Sequence, residues 1–337
     1  MGTLALGLVA VTLAALCIGP YRLSLGQVMT AIFASNASLL HDPELQQMRY
    51  MLIEIRAPRV VLAILVGGGF GLAGSAMQAL FRNPLADPAL LGISSSAAFG
   101  ASAMIVLGPI LFAHPVVFGY LPVAAFACAF AASLLMYGFA ASSGRLAIPV
   151  LLLAGIAVNA LAIGGIGLLT YVSNDDQLRF LAFWNLGSVA GATWTVIATV
   201  APIIVLSAAL LLRNRQALNV LQLGEVEAQH LGVSVLRLKR IVLFGVALCV
   251  GALVACTGVI GFIGLVAPHC VRLLCGPNLR FVMPGAALLG ASLTLVADLG
   301  ARTLHAPAEI PLGILTALFG APFFLTLLLK KKAAWGL

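Results

Sequence analysis

The sequence predicts an all-α integral membrane protein with ten transmembrane helices. Three observations carry that prediction. Of 337 residues, 62% are hydrophobic and only 8% are charged, 18 Lys plus Arg against 10 Asp plus Glu. Soluble domains carry about 25% charged residues, and so few charges cannot cover a water-facing surface. Long charge-free stretches include 1–21, 60–81, 88–144, 146–174, 180–212, 241–271, 281–297 and 310–329. A spanning helix needs roughly 20 apolar residues. Glycine is frequent, with 35 copies, as in helices that pack closely within a membrane. Together these features exclude a soluble enzyme, a disordered chain and a nucleic-acid binder, despite a formal net charge of +8. A membrane β-barrel would instead alternate in segments of about ten residues.

The elements follow in order. The first span is 3–20; no Lys or Arg precedes it, so it reads as a span rather than a signal peptide. The second, 58–80, is entered through Arg56-Ala-Pro-Arg59. Arginines three residues apart share a helix face. The positive-inside rule does not explain them on the outer side. Snorkelling to headgroups would, and so would docking of an acidic partner, because guanidinium pairs bidentately with carboxylate. The segment Phe81 to Ser96 then breaks the helix at Asn83-Pro84 and Asp87-Pro88. It is either a simple turn or a gate, since irregular backbone near a bilayer must face protein or water. Spans three and four, 92–107 and 117–141, are divided by the Gly and Pro residues between Leu107 and Pro122.

Span five, 147–171, leads into Ser173–Trp194, a short helix at the outer interface with Trp184 and Trp194 as belt residues. Its Arg179 either faces a cavity or pairs with Asp175 or Asp176. Span six, 193–212, ends in the polar stretch Arg213 to Arg240. Within it, Glu225 to Leu231 form a compact amphipathic helix bracketed by Gly224 and Gly232. That suits contact with a cytosolic partner better than a floppy linker would, although a plain surface loop has the same composition. Spans seven and eight, 239–256 and 259–275, meet at the Gly-rich break Gly258 to Gly264. Span nine, 282–299, ends at Asp298, and an acid at a membrane boundary admits a proton-path reading. The outer loop Ala297 to Gly313 carries Arg302 and Glu309, and span ten is 312–329.

Basic residues set the orientation. With both termini cytoplasmic, the inner loops hold Arg82, Arg145, Arg213, Arg215, Arg237, Lys239, Arg240, Arg272, Arg280 and Lys330 to Lys332, which is 12 of the 18 basic groups. Only Asp87, Glu225 and Glu227 share that side. The six cysteines lie in or beside apolar helices without metal-binding spacing, and read as small buried hydrophobes. No Gly-rich phosphate loop of Walker type is present, and no His, Asp, Glu or Cys cluster within the spans supports a membrane enzyme. The remaining rival from composition is a proton-coupled secondary transporter using Asp298.

Five blocks resemble one family: RAPRVVLAILVGGGFGLAGSAMQALFRNPLADPALLGISSSAAFGA (56–101), LGEVEAQHLGV (223–233), GVIGFIGLVAPHCVRLL (258–274), MPGAALLGASLTLVADLGAR (283–302) and EIPLGILTALFGAPFFLTLLLK (309–330). They are similar to FecCD-type permeases of type II ABC importers, which carry ferric siderophores, haem and cobalamin. The resemblance covers essentially the whole chain as a single transmembrane permease domain, 1–337. It implies a homodimer with the path along its axis, and inverted repeats of spans 2–5 and 7–10. It implies a bacterial inner-membrane, multi-pass protein that is not itself an enzyme. Two cytosolic ATPase subunits would hold ATP and Mg, and this chain no cofactor or metal. A periplasmic binding protein would dock through Arg56, Arg59 and Arg302. Asn83 and Leu85 match an inner gate, Ser142 and Ser143 fall near a second, and Arg179 matches an Arg in the outer helix. Gly224, Glu225, Ala228, His230, Leu231 and Gly232 match the coupling helix, within a cytoplasmic segment of about 213–238. The stretch from DDQLR to GATW is closest to the haem-importing subgroup, so haem is the expected cargo, with a ferric siderophore or cobalamin as alternatives. His114, His269 and His305 invite a reading as haem ligands. His269 belongs to the family's general Pro-His motif, however, and the other two sit in outer loops where histidine is usually only solvated.

Overall fold

The structure, a computed structural model, describes residues 1–19, 21–34, 42–111, 117–142 and 145–334. Each of the ten predicted spans is a helix. They are α1 (Gly2–Cys17), α4 (Ala57–Leu80), α5 (Ile93–Leu111), α6 (Val117–Ala140), α7 (Ile148–Tyr171), α9 (Trp194–Arg213), α12 (Val235–Thr257), α13 (Ile263–Cys275), α14 (Leu279–Thr303) and α15 (Leu312–Ala334). Among the described residues, seven helices are long and apolar enough to cross a membrane, while α1, α13 and the apolar part of α15, Leu312–Thr326, are shorter. Between them lie α2 (Leu25–Phe33), α3 (Pro43–Tyr50), α8 (Asp175–Asn185), α10 (Arg215–Leu221) and α11 (Glu225–His230).

The sequence reading located the ten apolar helices, α8 and α11, and missed α2 and α3. The second span, α4, begins at Ala57, beside the expected residue 58, but the helix continues upstream of it. It is entered by α3, which Asp42 caps by accepting from the Glu44 and Leu45 N–H groups at 3.1 Å. A π-helical turn, Met51–Arg56, joins α3 to α4. Likewise, α2 starts in a capping box between Ser24 and Gln27. A two-residue antiparallel pair, Ala141–Ser142 with Arg145–Leu146, connects α6 to α7.

The core forms where small residues let backbones touch. α4 crosses α14, and a Cβ added at Gly67 would overlap the Gly290 carbonyl, one at Gly71 the Ala286 carbonyl, and one at Gly74 the Gly264 carbonyl of α13. The three glycines sit at i, i+4 and i+7, one face of one helix, and such faces are how membrane helices approach without a hydrophobic driving force. α4 and α12 are buried along most of their length, whereas α7 and α9 are mostly exposed. Leu153, Ile156, Leu161 and Leu168 all point outward from α7, as expected of a surface facing lipid or another apolar partner. Gly71→Val should lower stability by about 1–3 kcal/mol, because backbone cannot yield as a side chain can. Gly164→Val on α7, where an added Cβ meets nothing, should be silent. Melting of the purified protein in detergent checks this, and equal melting of the two variants would refute the close-packing account.

Positive φ marks two breaks between spans. Among the described residues, Arg82 (φ 50°) and Phe262 (φ 68°) are the non-glycines in this region, which is costly for an L-residue. Arg82 opens the turn between α4 and α5, and Phe262 the turn between α12 and α13.

Candidate functional site

At the end of α4 where the chain enters it, three arginines are spoken for inside the protein. Arg59 donates from Nε and Nη2 to Asp298 Oδ1 at 2.9 and 2.8 Å. It also forks onto Glu309, Nη1 to Oε1 at 2.7 Å and Nη2 to Oε2 at 3.0 Å. Arg302 donates from Nη2 to the Ala15 carbonyl at 2.6 Å, and its Nε lies 3.5 Å from Asp298 Oδ2. Arg56 donates from Nη1 to the carbonyls of Leu16 and Cys17 at 2.6 and 3.1 Å, and from Nη2 to that of Tyr21. Exposure is 3% for Arg56, 8% for Arg59 and 3% for Arg302. Arg56, Arg59 and Arg302, expected to meet an outside partner, thus each have acceptors within the chain. A guanidinium out of water needs acceptors on its donors, and α1, α14 and the following loop bring them. Asp298, 0% exposed, is the hub of this network, not a lone acid on a path.

The break after α4 is built by side chains acting as backbone. Asn83 Oδ1 accepts from the Leu85 N–H at 2.9 Å, and Asp87 Oδ1 from the Ala89 N–H at 2.7 Å, both Asx turns. Gly92, at φ 66°, then closes the short Pro88–Leu91 turn before α5. Burial pushes the Asp87 carboxyl up from the usual carboxylate range, against its one backbone hydrogen bond. Asn83 is exposed, and Leu85 is 50% exposed, so both are placed to meet whatever passes or docks there. Ser142 lies in the two-residue pair, in register with Arg145; Ser143 lies outside the described residues, as does His114. Arg179 is exposed on α8, with no ion pair to Asp175 or Asp176 among the described residues.

Sequence reading missed the polar tie between the end of α4 and α13. Gln78, 2% exposed, donates from Nε2 towards the Gly264 and Leu265 carbonyls at 3.5 Å. Its Oε1 accepts from Arg272 Nη1. A glutamine inside an otherwise apolar helix was the available signal. Arg272 thus does more than balance loop charge.

The segment at the other end is a compact knob. α11 follows Gly224 (φ 140°) and is closed by Gly232 (φ 83°), both conformations that favour glycine. Ala228 is 0% exposed and roots the helix. Glu225 is clamped by Lys239 Nζ at 2.7 and 2.8 Å. Of the expected contact residues, Gly224 and Ala228 therefore face inward and Glu225 is engaged within the chain. His230, Leu231 and Gly232 are exposed. Leu231, one of the expected contact residues, is 63% exposed, and Val226, 61% exposed, adds apolar surface beside it that was not among them. Lys239, 3% exposed, is a strut rather than a loop charge.

Among the described residues, no three His, Cys, Asp or Glu side chains gather to hold a metal. His269 packs edge-on against Phe323, and His305 is exposed after α14. Cys275 is exposed, unlike the buried Cys249.

The sequence profile of the FecCD transport family matches residues 7–330. The chain is 44% identical over 316 residues to the hemin transport system permease protein HmuU of Yersinia pestis, covering 92% of each. It is 41% identical over 278 residues to the cobalamin import system permease protein BtuC of Halobacterium salinarum, covering 82% of this chain and 73% of that protein. The fold superposes with a TM-score of 0.83 on an inward-facing ABC transporter chain of metal-chelate type, at 34% identity and covering 97% of this chain and 98% of the other.

Proposed function

We propose, since this chain belongs to the FecCD transport family of ABC importer permeases, that its cargo is haem. The observation that carries this is the likeness to a hemin permease along nearly the full length of both chains. The similarity to a cobalamin permease keeps cobalamin as the second reading, and a ferric siderophore has the same standing within the family. In the proposed assembly two copies form a homodimer in the bacterial inner membrane with both termini cytoplasmic. Spans 2–5 and 7–10 repeat in inverted fashion. The α11 knob, within residues of about 213–238, meets a cytosolic ATPase subunit that holds ATP and Mg. A periplasmic binding protein meets the end that carries Arg59. A carboxylate of that partner reaches Arg59 only by displacing Glu309, whose side chain is 38% exposed. ATP-driven approach of the two ATPases would move α11 and, through the Glu225–Lys239 clamp, α12. Asn83 and Leu85 in the break after α4, with Ser142 and Ser143 beyond α6, would form the gates. A proton-coupled mechanism through Asp298 is disfavoured by its place between Arg59 and Arg302.

The test is uptake into proteoliposomes holding the permease with its ATPase subunit and binding protein. Haem should accumulate with ATP inside the coupling compartment and not without it, ahead of a ferric siderophore or cobalamin. Preferred uptake of cobalamin would overturn the cargo. Uptake driven by a proton gradient without ATP would overturn the importer reading.

A further inference from the structure

A crevice of about 450 Å³ opens between α6, α9 and α12, within the size range of small-ligand sites. Leu91 and Ile93, at the far end of the break after α4, are among the residues that line it. Its wall is aromatic: Phe130 stands edge-on to Phe244 at 5.8 Å and stacks beside Phe126 at 6.1 Å. Such interlocked rings hold the space open without a ligand. The polar side chains at the wall are few. Ser133 spends its hydroxyl proton on the Ala129 carbonyl at 2.8 Å, so it offers little to a polar guest.

The exception is at the lip. Arg240 is exposed and lies over the Tyr137 ring, 5.7 Å from the centroid. Stacking of this kind fixes the guanidinium and leaves its N–H fork free. Among the described residues no carboxylate pairs with it. Arg213 is also exposed and stands one turn beyond the lining residue Leu210 on α9. From Arg240 to Ala247, the first and last lining residues of α12, the rise is about 10 Å at 1.5 Å per residue. The result is an apolar slot of that length with unpaired positive charge at its mouth, at the end of the bundle that also carries α11.

We propose that this crevice is a binding site for an anionic phospholipid, with an acyl chain between α6 and α12 and the phosphate on the Arg240 fork. Charge complementarity selects the occupant. An apolar chain alone leaves Arg240 unused, and a free anion leaves the crevice unfilled. Basic pockets between helices at a membrane surface recognise lipid headgroups in this way. The bound chain would touch Leu91 and Ile93 from behind, so lipid would brace the break that the functional reading takes as a gate. The site itself does not depend on that reading or on the cargo.

The full-length protein, purified in detergent and delipidated, is melted with phosphatidylglycerol or with phosphatidylcholine of the same chains. Phosphatidylglycerol should raise the Tm by several degrees and phosphatidylcholine should not. Arg240→Gln should lose most of that rise, while Arg280→Gln, an exposed arginine at the same end, should keep it. Equal shifts with both lipids, or equal losses in both variants, would overturn the proposal. If Arg240→Gln does not fold, a photo-cross-linking residue placed at Phe244, 46% exposed, decides instead. A lipid adduct supports the site, and a covalent dimer shows that a second copy covers the crevice and overturns it.

Discussion

Asp298→Ala should cost about 3–5 kcal/mol, the toll of leaving a buried charge without its partner. The substitution removes little volume but strands Arg59 and Arg302, both nearly unexposed. Arg59 would retain Glu309, which is partly solvated and therefore a weaker hold. Arg302 would retain only the Ala15 carbonyl. The expected readout is a chain that reaches the membrane poorly or melts many degrees lower in detergent. The exposed acid Asp175 supplies the control: Asp175→Ala should fall within about 0.5 kcal/mol of the parent. A more searching variant replaces both sides at once. Asp298→Leu with Arg59→Met removes the ion pair and keeps the bulk, and should recover much of the loss, since such swaps are often neutral. If Asp298→Ala melts like the parent, the network is incidental and the three arginines return to the role of a docking surface.

That network shows where the sequence could be read and where it could not. The positions of Arg56, Arg59, Asp298, Arg302 and Glu309 were all visible as exceptions in an apolar chain. Their residue types said that each needed a counter-charge. They did not say whether the counter-charge came from another protein or from α14, because 239 residues separate Arg59 from Asp298 and no local rule spans that distance. The apolar helices were legible for the opposite reason: length without charge is a local property. α3 was not, since a polar helix leaves no gap in the charges, and α2, nine residues inside a charge-free stretch, is too short to register as a span. The α11 knob was read correctly in place and length from Gly224 and Gly232. Its sides were not, and packing against α10 and α12 separates the rooted Ala228 from the outward Val226.

That separation makes the second large effect testable. Val226→Glu with Leu231→Glu should abolish ATP-driven transport while leaving the fold intact. Both side chains are more than half exposed, so the change should alter stability by less than about 0.5 kcal/mol per site. At an interface, burying either apolar group is worth about 2 kcal/mol when it is an anchor, and an unpaired carboxylate there adds a desolvation cost. Each site alone should then weaken association by roughly thirtyfold, at 1.4 kcal/mol per factor of ten. The measurement is co-purification of the ATPase subunit with the variant, alongside a melting curve of the permease. Ala228→Glu would be the wrong experiment, since it buries a charge at the root of the helix and loses transport by unfolding the knob. Retained co-purification in the outward double variant, with a normal melting curve, would show that the partner binds elsewhere. The coupling role would then pass to another part of the segment, α10 or the turn before α12.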